Sequence, residues 1–303
     1  MTTFAPSAPA RESVPDSLRR ASLSRRRRLT DVVARSLIWL SLAVAVVPLG
    51  LVTYYVIVKG VHVMSWEFLT ERIPRQAQTA GGGIGPAIIG TVVVTSVAAL
   101  IAIPLGVLGA IYLNEYGRQS PLARTIRTMA DVMTGVPSIM MGLFIFIAFV
   151  LLVGEKSGFA GSLALACLML PVVIRTSEEM LRLVPDELRQ ASLALGARKW
   201  KTIVSVVLPA AISGITSGAL LAIARAAGET APILLMVGLV YRANWSLFGE
   251  NTALPVQIYR NAQEPFETAV DRAWGAALTL VAIVLFTTLI GRFLANRFAI
   301  KER

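Results

Sequence analysis

The stretch LLAIARAAGETAPILLMVGLVY, residues 220–241, decides how this chain is to be read. It is apolar almost throughout, and with the residues preceding it from Pro209 it is long enough to cross a bilayer, which takes about 20 mostly apolar residues. Yet it carries Arg225 and Glu229. An ionised group at the centre of a membrane helix costs roughly 2.5–3.5 kcal/mol on insertion scales. Two opposite charges spaced i, i+4 share one face of a helix, so they neutralise each other on the inside of a bundle. Arg225 lies 16 residues beyond Pro209. At about 1.5 Å per residue that is roughly 24 Å into a hydrocarbon layer roughly 30 Å thick. Gly228 is read as a point of close approach for a neighbouring helix or a substrate, and Pro232 as a weak point one turn later.

Working outward, the whole chain has the same character. Of 303 residues, 55% are hydrophobic and only 16% charged, with mean hydropathy +0.67. Soluble domains carry about 25% charged residues, so an integral membrane protein is expected, all-α because strands with open edges cannot satisfy their backbone groups in lipid. Six spans are predicted: 36–58, 86–113, 132–153, 158–174, 209–241 and 273–290. They divide the chain into a basic tail at 1–35, disordered to about Ser24, a membrane domain at 36–291 with an internal polar loop at 175–209, and a tail at 292–303. Pro104 and Pro137 are expected to kink the second and third spans.

Orientation follows the Lys/Arg bias of the loops. The tail to Arg35, the loops after spans two and four and the C-terminal tail hold eight, three, six and four Lys/Arg respectively. Both termini are therefore expected in the cytoplasm. The net charge of +11 is accounted for by that bias, the run Arg25–Arg28 being read either as contacting anionic lipid heads or as simply fixing orientation; no nucleic-acid partner is needed. Arg175, at the inner end of span four, is read as snorkelling to the lipid heads. Cys167 is alone, so it forms no intrachain disulfide, and His62 is the single histidine. No metal or other cofactor is expected. The Gly-rich TAGGGIGPAIIG, 79–90, lacks the lysine of a phosphate-binding loop. It is read as a flexible or close-packing lead into span two. The chain is not expected to be an enzyme.

The loop RTSEEMLRLVPDELRQASLALGARKWKTIVSVVLPAA, 175–211, is the most structured polar segment. Pro185, Asp186 and Glu187 start a helix well, proline at the first position and acids at the positive end of the dipole. Leu188, Ala191 and Leu195 recur on one side, Gly196 permits a turn, and a second basic helix begins at Arg198 and is expected to close at Leu208–Pro209. The segment resembles the cytoplasmic E-A-A, three residues, G, nine residues, I-x-L-P motif of ATP-binding-cassette importer permeases. Here the matching letters are Gln190-Ala191-Ser192, Gly196 and Val206 to Pro209, with Gln190 and Ser192 in place of glutamate and alanine. The stretches IAIPLGVLGAIYLNEY (101–116), TGVPSIMMGLF (134–144) and RAAGETAPILLM (225–236) resemble the phosphate-specific branch, more narrowly the PstA-type subunit. The similarity runs from about Gly81 to Gly291.

That resemblance implies a type I importer permease fold in a bacterial inner membrane. It implies a PstC-type second permease subunit, a PstB-type ATPase homodimer docked on Gln190, Ala191, Ser192, Gly196, Leu208 and Pro209, and a PstS-type extracytoplasmic phosphate-binding protein. Arg225 and Glu229 become expected path residues: the arginine fork matches phosphate oxygens, and the glutamate keeps binding weak enough for release. The alternative for the pair is a structural ion pair that fixes packing. Ser138, after Pro137, is a further path candidate. Gly214 and Gly218 form a G-x-x-x-G packing face. A permease for molybdate or sulfate, and a standalone secondary transporter, remain alternatives. A membrane enzyme using Glu229 would lack a second catalytic group at that depth.

Overall fold

The computed structural model describes residues 25–238 and 240–298. The expected disorder up to Ser24 and the last five residues of the C-terminal tail lie outside them. Thirteen α-helices are described, in the order α1 (Arg25–Val63), α2 (Trp66–Thr70), α3 (Gly85–Ile111), α4 (Pro121–Gly135), α5 (Ser138–Ile145), α6 (Leu151–Val153), α7 (Gly158–Leu183), α8 (Asp186–Ala194), α9 (Lys199–Thr202), α10 (Leu208–Ala227), α11 (Ala231–Met236), α12 (Leu254–Ala262) and α13 (Glu267–Phe298). Wider π turns continue α3 over Tyr112–Tyr116, join α5 to α6 over Phe146–Val150 and join α9 to α10 over Ile203–Val207. Among the described residues, five helices are long and apolar enough to cross a membrane, or six if the bent α4–α6 segment counts as one span.

Several starts follow from local chemistry. Ser65, Ser120 and Ser157 accept hydrogen bonds from the amides of Phe68, Ala123 and Ala160, and Pro121 follows Ser120 at the first turn of α4. The described residues divide into two units at Tyr54/Tyr55. In the first, the apolar side chains of α1 from Leu29 onward are exposed. In the second, the core is a seam of small residues that lets helices come close without bulky interdigitation. Ala98 and Ala102 of α3, Leu165 and Met169 of α7, and Ala222 and Ala226 of α10 share one buried cluster. Gly106 of α3 abuts Val173, while Gly214 and Gly218 of α10 abut Met180 and Thr176, all three neighbours being on α7. The G-x-x-x-G is therefore an intramolecular packing face.

The helices depart from the predicted spans in four places. α1 begins at Arg25 and α13 ends at Phe298, so the basic flanks next to the membrane are helical, not tails. The third span breaks: α4 and the helix from Ser138 to Val153 are bent by 109° at Val136–Pro137, more than a kink. Proline cannot donate the next helical bond and pushes the preceding residue out of helical geometry. Span four runs nine residues further, to Leu183. Span five stops at Ala227, and α11 is a separate short helix followed by non-helical chain in place of a helix to 241. Leu208–Pro209 does not close α9. The chain passes through as one helical rod, because the π turn at 203–207 wraps the hydrogen bonding past the amide that Pro209 lacks; the Leu208 amide bonds to Ile203 O.

The glycine-rich lead into α3 is a tight clasp. Gly81 and Gly82 have φ of 79° and 74°, and the amides of Gly83, Ile84 and Gly85 bond to Arg72, Phe68 and Glu71 carbonyls. At the same end Gly90 leaves no room for a Cβ against Thr252 O, and Thr91 Oγ1 accepts from the Leu254 amide. α7 starts there too, its first amides bonded to Gly249 and Leu247 carbonyls. This far end is opposite the loop end, where α7 runs out to α8.

Candidate functional site: a charged break in the core and a clamped loop

The chain folds Arg225 and Glu229 across a helix break. Arg225 is in the last turn of α10, Gly228 ends that helix, and Glu229 precedes α11, which carries Pro232 in its first turn. Arg225 Nε lies 3.6 Å from Glu229 Oε1, with the arginine side chain 65% exposed and the glutamate 18%. Their depth comes from packing. Ala222 and Ala226 belong to the buried cluster that holds Ala98 and Ala102, the middle of α3, so Arg225 sits at mid-height of the membrane helices. The guanidinium faces outward from this subunit, while the carboxylate that tempers it is held inside.

Gly228 does not serve as a close-approach point: a Cβ there would meet nothing within 3.5 Å, its nearest neighbour being Arg225 O at 3.6 Å. That role belongs to Gly142 of α5, where Pro232 of α11 leaves no room for a side chain. Ser138 opens α5 half-buried. The structure brings the charged pair together.

At the loop end, α8 starts after Pro185, and Gly196 turns the chain with φ 82° toward α9. Gln190, Ala191 and Gly196 are exposed, Ser192 half-buried, and Leu208 and Pro209 half-buried within the rod. Ser192 Oγ and Thr202 Oγ1 share a 2.9 Å hydrogen bond that ties α8 to α9. Leu188, Leu193 and Leu195 are exposed, Leu195 to 90%. These apolar side chains stand exposed on an otherwise polar loop.

Sequence reasoning missed what holds this loop. Arg189, on the buried side of α8, donates from Nε and Nη2 to Glu115 Oε1 at 3.2 and 2.9 Å, and caps α7 through the Val184 and Leu181 carbonyls at 2.6 and 2.8 Å. It also pairs with Asp186 at 3.1 Å, which Arg118 reaches at 3.3 Å. Lys199 donates to Glu115 O and lies 4.8 Å above the Tyr116 ring. One turn deeper, buried Glu178 of α7 receives Arg127 and Arg182, each at 2.7 Å. Arg175 pairs with Asp131 and approaches Glu178 to 3.7 Å. It is bound within the bundle and does not snorkel.

These features define a class: a multi-pass membrane protein, helical in its regular elements throughout the described residues, with a polar loop at one end that presents exposed leucines. The family described as binding-protein-dependent transport system inner membrane component matches residues 102–300. The chain is 45% identical over 282 residues to the phosphate transport system permease protein PstA of Mycobacterium leprae (strain TN), covering 91% of this chain and 92% of that protein. It is 41% identical over 276 residues to the PstA of Yersinia pestis, covering 89% and 92%. Among solved structures it is similar to a bacterial ABC transporter involved in the import of the acidic polysaccharide alginate, with TM-score 0.60, 13% identity, and 91% of this chain and 100% of that chain covered. The inward-facing MetNI methionine ABC transporter gives TM-score 0.56, 20% identity and coverage of 71% and 94%. The chain belongs to the binding-protein-dependent transport inner-membrane family, among the PstA permease proteins, and its fold is that of ABC importer permeases.

Proposed function

We propose that this chain is one of two permease subunits of an ATP-driven importer of inorganic phosphate. The observation that carries the reading is Arg225: a guanidinium at mid-membrane height, at a helix break, turned outward from its own subunit and only loosely compensated by Glu229. A purely structural ion pair in lipid would be closed and buried on both sides. An open arginine offers a planar fork to a tetrahedral oxyanion, and the nearby carboxylate keeps the oxyanion from being trapped. The PstA relatives name phosphate as the oxyanion.

In this reading the far end faces outward and receives substrate from a PstS-type binding protein. The loop end and both termini face the cytoplasm, and a PstB-type ATPase pair docks on Ala191, Gly196 and the exposed leucines. A PstC-type subunit completes the path opposite Arg225. The subunit hydrolyses no ATP; it converts movement of α8 into movement of α3 and α10.

The test is labelled-phosphate uptake in cells lacking this chain, restored with wild type or Arg225→Gln, with sulfate and molybdate as competitors. Wild type is expected to restore uptake that neither competitor suppresses, and Arg225→Gln to assemble with its partners yet lose uptake by a hundredfold or so, the scale of about 3 kcal/mol. Normal uptake by the variant would reduce the pair to packing. Suppression by sulfate or molybdate would reassign the substrate.

A further inference from the structure

We infer that the far end carries a second oxyanion site, between α12, the start of α13 and the loop that follows α2. A cavity of about 370 Å³ is lined there by Arg75, Gln257, Arg260, Asn261, Glu264 and Arg272. Arg272 is 4% exposed and Asn261 7%. Three buried donors of this lining, Arg260 Nη1, Asn261 Nδ2 and Arg272 Nε, have no hydrogen-bond partner among the described residues. Leaving a buried donor unmade costs about 1–3 kcal/mol, more when it is charged.

The charge points the same way. Arg272 spends its two terminal nitrogens on the neutral carbonyls of Ala77 and Thr79. Neither it nor Arg75 nor Arg260 has a carboxylate within ion-pair distance among the described residues. Glu264 is the single acid on the lining. An adjoining cavity of about 600 Å³ shares Arg75 and Tyr241 and adds Arg72 and Arg242 against Glu250. The two form a basic vestibule leading to a cluster of donors that lack an acceptor. A ligand rich in acceptors and negatively charged, an inorganic oxyanion, satisfies both deficits at once. Clefts lined by one sign of charge also raise the local concentration of the opposite ion. The site is separate in sequence and in elements from Arg225. It gives an oxyanion released at the outer face somewhere to wait before it reaches the helix break.

The inference rests on the importer reading, and its test separates the two. The assembled importer, in nanodiscs without binding protein or ATP, is titrated with labelled inorganic phosphate in an Arg225→Gln background, which removes the path arginine. Binding is expected to persist there, and to weaken at least tenfold on adding Arg260→Gln or Asn261→Leu. If one of these does not assemble, Arg75→Gln on the loop is read in its place. Unchanged phosphate binding in the assembled variants overturns the site, as does weaker docking of the binding protein with phosphate binding intact, which would make this a protein-docking face. Absence of any oxyanion binding overturns it as well. Binding of sulfate or molybdate but not phosphate, lost in the same variants, keeps the site and overturns the phosphate reading.

Discussion

At Arg189 one guanidinium serves a buried carboxylate, an exposed one and two carbonyls at the end of α7. Removing it leaves Glu115, 5% exposed at the side chain, with only the neighbouring Asn114 amide, donated at 2.8 Å. Breaking one side of a buried pair costs about 3–5 kcal/mol, because the remaining charge is stranded, whereas replacing both by apolar residues is often neutral. Arg189→Met is therefore expected to lower the unfolding midpoint of the assembled complex sharply, and Arg189→Met with Glu115→Leu to recover most of the loss. A single variant as stable as wild type would show that the clamp carries no weight. The same residue shows the limit of reading charges locally. Arg225 and Glu229 were legible because a charge in an apolar run stands out and its partner is four positions away. Arg189 and Glu115 are 74 positions apart, and each sits in a polar stretch where a charge is ordinary.

At the scale of elements, the existence of the membrane helices was written in composition, but their ends were not. α7 carries Arg175, Glu178 and Arg182 beyond the apolar run, and these read as loop because their neutralising partners, Asp131 and Arg127, come from α4. The break after Arg225 was hidden because Gly228 and Pro232 together end a helix whose apolar pattern continues. Within the loop the turns at Pro185 and Gly196 were legible, since proline, acids and glycine mark them in their own chemistry, but its two ends, inside α7 and through Leu208–Pro209, were not. Gly196 tests its role. Its φ of 82° is a conformation that costs other L-residues about 1–2 kcal/mol, and nothing lies within 4 Å of a Cβ there. Gly196→Val thus strains the turn between α8 and α9 without clashing elsewhere. Phosphate uptake by the assembled importer is expected to fall severalfold while basal ATP hydrolysis persists, and Gly196→Asn, which tolerates that φ better, to restore part of it. Equal loss of both activities would mean that the turn holds the assembly together and does not couple it.

For the whole molecule, the charge bias and the fold make one joint statement about sidedness. The far end holds Arg72, Arg75, Arg242, Arg260 and Arg272, a basic surface that the positive-inside rule would by itself place in the cytoplasm. The loop end holds Arg118, Arg127, Arg175, Arg182, Arg189, Arg198, Lys199 and Lys201. The rule counts Lys and Arg in the short loops, whether paired or not, and the eight at the loop end outweigh the five at the far end. Under the proposed function the two ends would divide the work: basic capture outside, mechanical docking inside. Cys167 is the single cysteine, so Cys167→Ser gives a thiol-free background. In intact cells a membrane-impermeant thiol reagent is expected to label Gln76→Cys, on the far-end loop, and to leave Gln190→Cys unlabelled until the membrane is opened. The reverse pattern would invert the subunit, put the exposed leucines of α8 outside and remove the ATPase from its docking face. Labelling of both positions in intact cells would require an even number of spans between them, and the chain could then not be the permease that its helices describe.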